Sequence, residues 1–269
     1  MYSDVTETKW QEWYGVTREN KPDVAIIWGI FSSIMEEGFS FVPDFLEYQF
    51  KPYLTNIRRF KLPHTFVGDY KNLNIAVTHV YGGPFCLDQT LKLVKFGAKL
   101  LILLGHFGGL KKDIPVGKLF IPSAAFRSDG ASFHLLGDED RFVHPTVDIE
   151  SWLHTYLTNE KVPYETGPIK TVSTMTSQNG KMVDEWQRQG FVGVDLESAV
   201  VFSVAKIHNV KCVSILHHSD HVGGGRLIFD ITEEERGMKK SARKQLVQLA
   251  LKVAEQFGNK NNINQLNSV

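Results

Sequence analysis

The sequence predicts an α/β fold in a single domain. Short apolar runs alternate with segments of helical spacing between residues 23 and 257. No internal repeat or Gly/Ser-rich linker divides them. A chain of 269 residues is long enough to bury one sizeable core.

Met1 to Pro22 is a polar, Trp-containing lead-in, and Asp23 to Gly29 is a short apolar strand. Phe31 to Phe50 is mixed, with helical spacing at best. Phe66 to Tyr70 and Leu73 to His79 read as a hairpin around Lys71-Asn72. Leu87 to Phe96 has helical spacing and stops at Gly97. The run Leu100 to Leu104 reads as a buried strand. It ends in Gly105-His106-Phe107-Gly108-Gly109, read as a tight turn whose bare backbone approaches a ligand. A second strand follows near 117–123. Val147 to Asn159 is an amphipathic helix, Lys170 to Ser173 a strand, and Lys181 to Gln189 a helix stopped by Gly190. Ser198 to His208 is helical, Lys211 to His217 is a strand, and Thr232 to Phe257 is the closing helix.

Lysine and arginine total 30, as do aspartate and glutamate, so the formal net charge is zero. That balance supplies no global field for nucleic acid or a membrane surface, and no basic run stands out. Cys86 and Cys212 lie in apolar contexts and read as buried reduced thiols rather than a disulfide or metal pair. No apolar run reaches spanning length and the N-terminus is polar, so a soluble cytoplasmic protein is expected. The Asn-rich tail from 258 to 269 has no apolar period and is expected to be disordered.

Two carboxylates in apolar settings carry the functional signal. Glu197 opens a helix-like stretch in Gly193-Val194-Asp195-Leu196-Glu197-Ser198. Asp220 ends the apolar run Ser214 to Asp220. A carboxylate is costly to bury without a partner, and the carboxyl ends of strands are where open α/β sheets bind ligands. Each has a plain structural alternative: Asp195 as a helix N-cap, Asp220 as a turn residue. His217, His218 and His221 surround Asp220, but their spacing matches no standard metal-ligand motif, and no metal is expected.

The block from Leu100 to Ser132, the Asp195-Leu196-Glu197-Ser198 helix start and the Ser219-Asp220-His221 strand end together resemble the nucleoside phosphorylase and nucleosidase superfamily. Its members include purine nucleoside phosphorylase, uridine phosphorylase, and methylthioadenosine and AMP nucleosidases. The resemblance runs from about Asp23 to Phe257. It implies a mixed central sheet, partly barrel-like and flanked by helices, and cleavage of the N-glycosidic bond of a purine nucleoside or nucleotide without a cofactor. It puts Glu197 on the ribose 2′- and 3′-hydroxyls, and Leu196 where the family often has a methionine under the sugar. Asp220 stands at the general-acid position of the purine-cleaving members. Arg236 resembles an arginine that swings toward the acid as the site closes, although alone it reads equally as a solvated helix charge. Thr171 to Ser177 aligns with the base-facing segment, which includes Thr174, and Met175 falls where an aromatic covers the base. His106, after Gly105, occupies the position of a phosphate-binding Ser or Thr.

Phosphorolytic members bind phosphate with arginines. Two of these positions are Ser33 and Leu103 here, and a third, lent by a neighbouring subunit, survives as Arg58. A borrowed Arg58 implies a homo-oligomer with a shared site. The lost arginines, and a glycine turn resembling that of AMP nucleosidase, tilt the expectation toward water as nucleophile. The alternative is phosphorolysis with a rearranged phosphate site, its charge supplied by residues such as Arg59, Lys111 or Arg127. A further alternative is a non-catalytic nucleoside-binding or storage relative, which has no need of both carboxylates.

Overall fold

Every residue of the strand β1 (Val24–Gly29) is buried. A strand covered on both faces needs no polar alternation, which explains the unbroken run Val24-Ala25-Ile26-Ile27-Trp28. The computed structural model describes residues 2–30, 38–111, 113–137 and 140–258. Ser33 and residues 259–269 of the tail lie outside the described residues.

Along the chain follow α1 (Glu7–Tyr14), β1, α2 (Val42–Phe50), β2 (Thr55–Arg59), β3 (Thr65–Tyr70), β4 (Leu73–Val80), α3 (Gly83–Phe96) and β5 (Leu100–Gly109). Next come β6 (Leu119–Ser128), α4 (Gly130–Leu136), β7 (Phe142–Val143), α5 (Val147–Asn159), β8 (Tyr164–Val172) and α6 (Gly180–Arg188). The chain continues with β9 (Gly193–Asp195), α7 (Ser198–His208), β10 (Lys211–Asp220) and α8 (Glu233–Phe257).

One mixed sheet joins all the strands. Its neighbours run β10-β6-β8-β9-β5-β1-β4-β3-β2, and β10 also pairs with β5. The second pairing closes β5, β10, β6, β8 and β9 into a ring, while β1, β4, β3 and β2 extend it as an open wing. The sheet is therefore partly barrel-like. β1, β4, β5 and β10 are mutually parallel through their shared pairings, so their carboxyl ends meet along one edge. Two apolar layers sandwich the sheet. One gathers Trp28, Phe45, Phe50 and the α5 and α8 residues Leu153, Leu246 and Val253. The other gathers Leu93, Phe96, Val201 and Phe202 from α3 and α7. Cys86 and Cys212 are both buried and free. Among the described residues, no helix is long and apolar enough to cross a membrane.

The glycine run is not a turn. β5 continues to Gly109, pairing with β9 through Gly108↔Val194 and Gly109↔Gly193. Its glycines are set by crowding. A Cβ on Gly109 would lie 2.1 Å from the His218 ring, and one on Gly193 would lie 2.2 Å from the Phe107 ring. The barrel closes only because these positions have no side chain. We expect Gly193→Ala to cost about 1–3 kcal/mol by overpacking. Urea unfolding checks this, and a variant as stable as the wild type would contradict the tight closure.

Candidate active site

The carboxyl edge of the sheet opens into a cleft of about 660 Å³ including its mouth. That size lies in the range of small-molecule sites. Gly29 ends β1 and Ile30 follows it, His106 and Gly108 come from β5, Val194 and Asp195 from β9, and Ser219 and Asp220 from β10. Leu196 and Glu197 follow β9, and Tyr81 follows β4. Met175 and Gln178 come from the segment after β8, with Val222 and Ile228 from the one after β10.

Glu197 is 8% exposed and stands at the N-cap of α7, yet its side chain does not cap that helix. Asp195 does. Its carboxylate accepts from the Ser198 N–H at 2.9 Å and from the Thr171 hydroxyl at 2.6 Å. Thr171 in turn accepts from the Ala199 N–H at 3.0 Å. The structural reading of Asp195 thus holds, and it frees Glu197 to turn away. Glu197 Oε1 accepts the Gly82 N–H at 2.7 Å. A Cβ on Gly29 would lie 3.0 Å from Glu197 Oε2, so glycine there gives the carboxyl room.

Burial, then the neighbouring Asp195 charge, pushes the Glu197 carboxyl up to about 8, against the bond from Gly82. Asp195 is pushed up to about 6 by burial. Asp220, 6% exposed, is raised chiefly by burial, opposed by the Ser219 hydroxyl bonded to it and by Lys239. His106 is held down at about 4 by burial, then by Lys239 and Arg243. Its ring in the cleft wall is neutral at neutral pH. His217, behind it, is lowered in the same way and is 1% exposed.

Of the residues expected at the site, the structure brings Glu197, Asp220, Leu196, Met175 and His106 to one cleft. Four others do not line it. Gly105 packs behind, where a Cβ would lie 3.1 Å from the Gly29 carbonyl oxygen. Thr174 is exposed and pairs its hydroxyl with that of Thr176 at 3.0 Å. Arg236 sits in the first turn of α8 with Glu233 at 3.5 Å. Arg58, expected to serve a neighbouring subunit's cleft rather than its own, is bonded on the open wing to Asp69 at 2.6 Å and Asn74 at 3.2 Å. Leu103 is buried in the core.

The three spare cations do not serve the cleft either. Arg59 pairs with Glu47, and Lys111 with Glu165. Arg127 is 1% exposed and spends its guanidinium on the carbonyls of Ser132, Gly137 and Asp140. Among the described residues, no lysine or arginine lines the cleft. The cations that do act on it are Lys239 and Arg243. They escaped the sequence because a Lys/Arg-rich helix reads as a solvated face. Tyr81 was also missed: it follows a strand, and no motif marks it. Among the described residues, no group of three or more His, Cys, Asp or Glu side chains is placed to hold a metal ion. His218 bonds its own strand end through the Asp220 carbonyl at 2.8 Å and stacks on Phe107.

The family model described as Phosphorylase superfamily matches residues 42–257. The chain belongs to the phosphorylase superfamily. Within it, a DeoD-type purine nucleoside phosphorylase of an Exiguobacterium species is 27% identical over 198 residues, covering 72% of this chain and 80% of that protein. The DeoD-type enzyme of Xenorhabdus nematophila is 27% identical over 173 residues, 64% of this chain and 71% of that protein. Among solved structures, uridine phosphorylase from Vibrio fischeri superposes with a TM-score of 0.73 at 18% identity, over 87% of this chain and 92% of that one. Methylthioadenosine/S-adenosylhomocysteine nucleosidase from Helicobacter pylori gives 0.68 at 14% identity, over 87% and 98%. These likenesses establish the superfamily fold.

The raised Glu197 has a measurable consequence. A folded state that holds a proton the unfolded chain has lost becomes less stable as pH rises. Here that window runs from the ordinary carboxylate value of 4.5 up to about 8. We expect Glu197→Gln to melt higher than the wild type at pH 8, by on the order of 2–4 °C, with the gap closing toward pH 5. A gap independent of pH in calorimetry would contradict the buried-carboxyl assignment.

Proposed function

We propose that the chain cleaves the N-glycosidic bond of a purine nucleoside or nucleotide, with water as the nucleophile. The observation that carries the reading is the pair of buried carboxyl groups, Glu197 and Asp220, facing one cleft. A non-catalytic binding protein does not need both of these costly groups.

Breaking the bond makes the sugar oxocarbenium-like and leaves charge on the departing base. Asp220 suits the acid role: burial favours its protonated form, and its proton would pass to purine N7 as the bond breaks. Glu197 suits the sugar. Its oxygens would take the 2′- and 3′-hydroxyls, and those bonds offset the burial that raises it. Leu196 would pack under the ribose, with Met175 over the base.

Water is favoured by what the cleft lacks. A charge-assisted hydrogen bond to phosphate is worth roughly 1.5–3 kcal/mol. With leucine at 103 and no cation in the described lining, orthophosphate has few ligands. His106, neutral and in the wall, is suited to orient a water instead. Phosphorolysis is the second reading. It is favoured by the names of the curated relatives, DeoD-type purine nucleoside phosphorylases.

Chromatography of purine nucleosides and nucleotides, incubated with and without phosphate, decides between them. The expected outcome is base release in phosphate-free buffer with a reducing sugar, lowered about 10²–10⁴-fold in Asp220→Asn. Turnover that requires phosphate and yields ribose 1-phosphate would overturn hydrolysis. Near-normal activity of Asp220→Asn would remove the acid role.

A further inference from the structure

Strand β10 carries one residue too many at the cleft. Against its parallel neighbour β5 it pairs His217↔His106 and His218↔Phe107, then Asp220↔Gly108, so Ser219 has no counterpart. This is a β-bulge, a form rare between parallel strands and one that re-aims a side chain. Side chains along a regular strand point alternately to opposite faces. On β5, His106 and Gly108 line the cleft, and Phe107 between them is buried outside the lining. His218 lies on the side of Phe107 and stacks on it, with ring centroids 5.2 Å apart. In a regular strand Asp220, two positions on from His218, would share that buried side. The bulge instead brings both Ser219 and Asp220 to the cleft.

Two side chains span the bulge. His218 Nε2 lies 2.8 Å from the Asp220 carbonyl oxygen. A carbonyl only accepts, so the ring donates from Nε2. The Ser219 hydroxyl lies 3.0 Å from the Phe107 carbonyl oxygen and also touches the Asp220 carboxylate. The His218 backbone is itself tied down. Its carbonyl accepts the Gly117 N–H at 2.8 Å, and its N–H donates to the Lys118 carbonyl at 2.9 Å. The ring then takes the space that a side chain at residue 109 would fill: a Cβ on Gly109 would lie 2.1 Å from His218 Nε2. The Pro115 and Ile114 carbonyls border the ring as well, yet Nδ1 has no hydrogen-bond partner among the described residues. Burial holds the fully buried ring down at about 4, so it is neutral at neutral pH, with one N–H to give. Burying an imidazole that leaves one nitrogen unpaired is costly. The bond that Nε2 makes accounts for its presence.

We propose that His218 is a positioning residue for Asp220: its ring ties off the bulge that turns the Asp220 carboxyl into the cleft. This rests on the acid role given to Asp220 above. The carbonyl that His218 holds and the carboxyl that donates belong to one residue, so fixing the first fixes the backbone from which the second projects. An apolar ring at 218 leaves the Asp220 carbonyl without that donor and frees the strand end to move. A misplacement of about 1 Å costs on the order of 10²-fold in rate.

The test uses a substrate that needs no acid. Guanosine gains a proton at N7 as its base departs. The base of 7-methylguanosine already carries the positive charge and leaves without that proton. Base release from both is followed with and without phosphate in wild type, Asp220→Asn, His218→Phe and His218→Gln. Phenylalanine keeps the stacked ring and removes the donor, whereas glutamine keeps an N–H of similar reach. In His218→Phe, kcat for guanosine should fall about 10²-fold with KM little changed, and that for 7-methylguanosine far less. His218→Gln should recover most of the guanosine rate. Equal losses on both substrates, or no loss on either, would overturn the proposal and leave His218 a packing residue. An Asp220→Asn variant that does not itself separate the two substrates would instead remove the acid reading. NMR of labelled histidine rings in the wild type decides the bond independently of activity and of how the variants fold. The His218 ring should carry its proton on Nε2, in slow exchange with solvent. A proton on Nδ1, or one on Nε2 that exchanges freely, would overturn the proposal.

Discussion

The site depends on one buried carboxyl group. Glu197 stands at a helix start, where a carboxylate would ordinarily cap the helix and lie in solvent. Here Asp195 takes the capping bonds, with Thr171 bridging strand β8 to the same helix turn. Glu197 is left to point across the sheet edge toward Gly82 and Gly29. Closure of the barrel brings β5, β9 and β10 together, and glycines permit that closure. The placement of Glu197 is thus a consequence of sheet topology, local capping and missing side chains at once.

That arrangement also separates charge. Two carboxyl groups lie at the end of β9, both raised chiefly by burial, and Glu197 is raised further by the charge of Asp195. At the ends of β5 and β10, two neutral histidines and one carboxyl lie in the field of two buried cations. Under the proposed reaction, a substrate whose bond breaks between these regions would meet a group suited to hydroxyls on one side and a proton donor on the other. Burial raises all three carboxyl groups, and in the proposed reaction substrate hydrogen bonds would offset part of that cost, as expected where stability gives way to function.

Much of the fold was legible because fully buried strands are continuous apolar runs. β1, the β3–β4 hairpin, the first half of β5, and β10 announced themselves in this way. What escaped has physical reasons. β2, Thr-Asn-Ile-Arg-Arg, is an edge strand with exposed side chains and no apolar period. β9 is three residues long. The glycines at 105, 108 and 109 looked like a turn because glycine usually signals backbone freedom, whereas here it answers crowding. The candidate site was legible where chemistry sits in a short motif, as at Glu197 and Asp220. Arg58 and Arg236 match family positions outside this chain's own cleft: Arg58 pairs with Asp69, and its expected place is a neighbouring subunit's cleft, while Arg236 lies beside Glu233. Arg127 became a brace for backbone carbonyls, and Lys239 and Arg243 were hidden because burial is invisible in a charged helix.

The central claim is that the Glu197 carboxyl receives the ribose hydroxyls. The direct measurement is kcat/KM for a purine riboside and its 2′-deoxyriboside, in the wild type and in Glu197→Gln. The amide keeps one acceptor and loses the other, so the account predicts a larger loss for the riboside and a collapse of the preference between the two sugars. Equal losses for both sugars would contradict it and make Glu197 a structural residue.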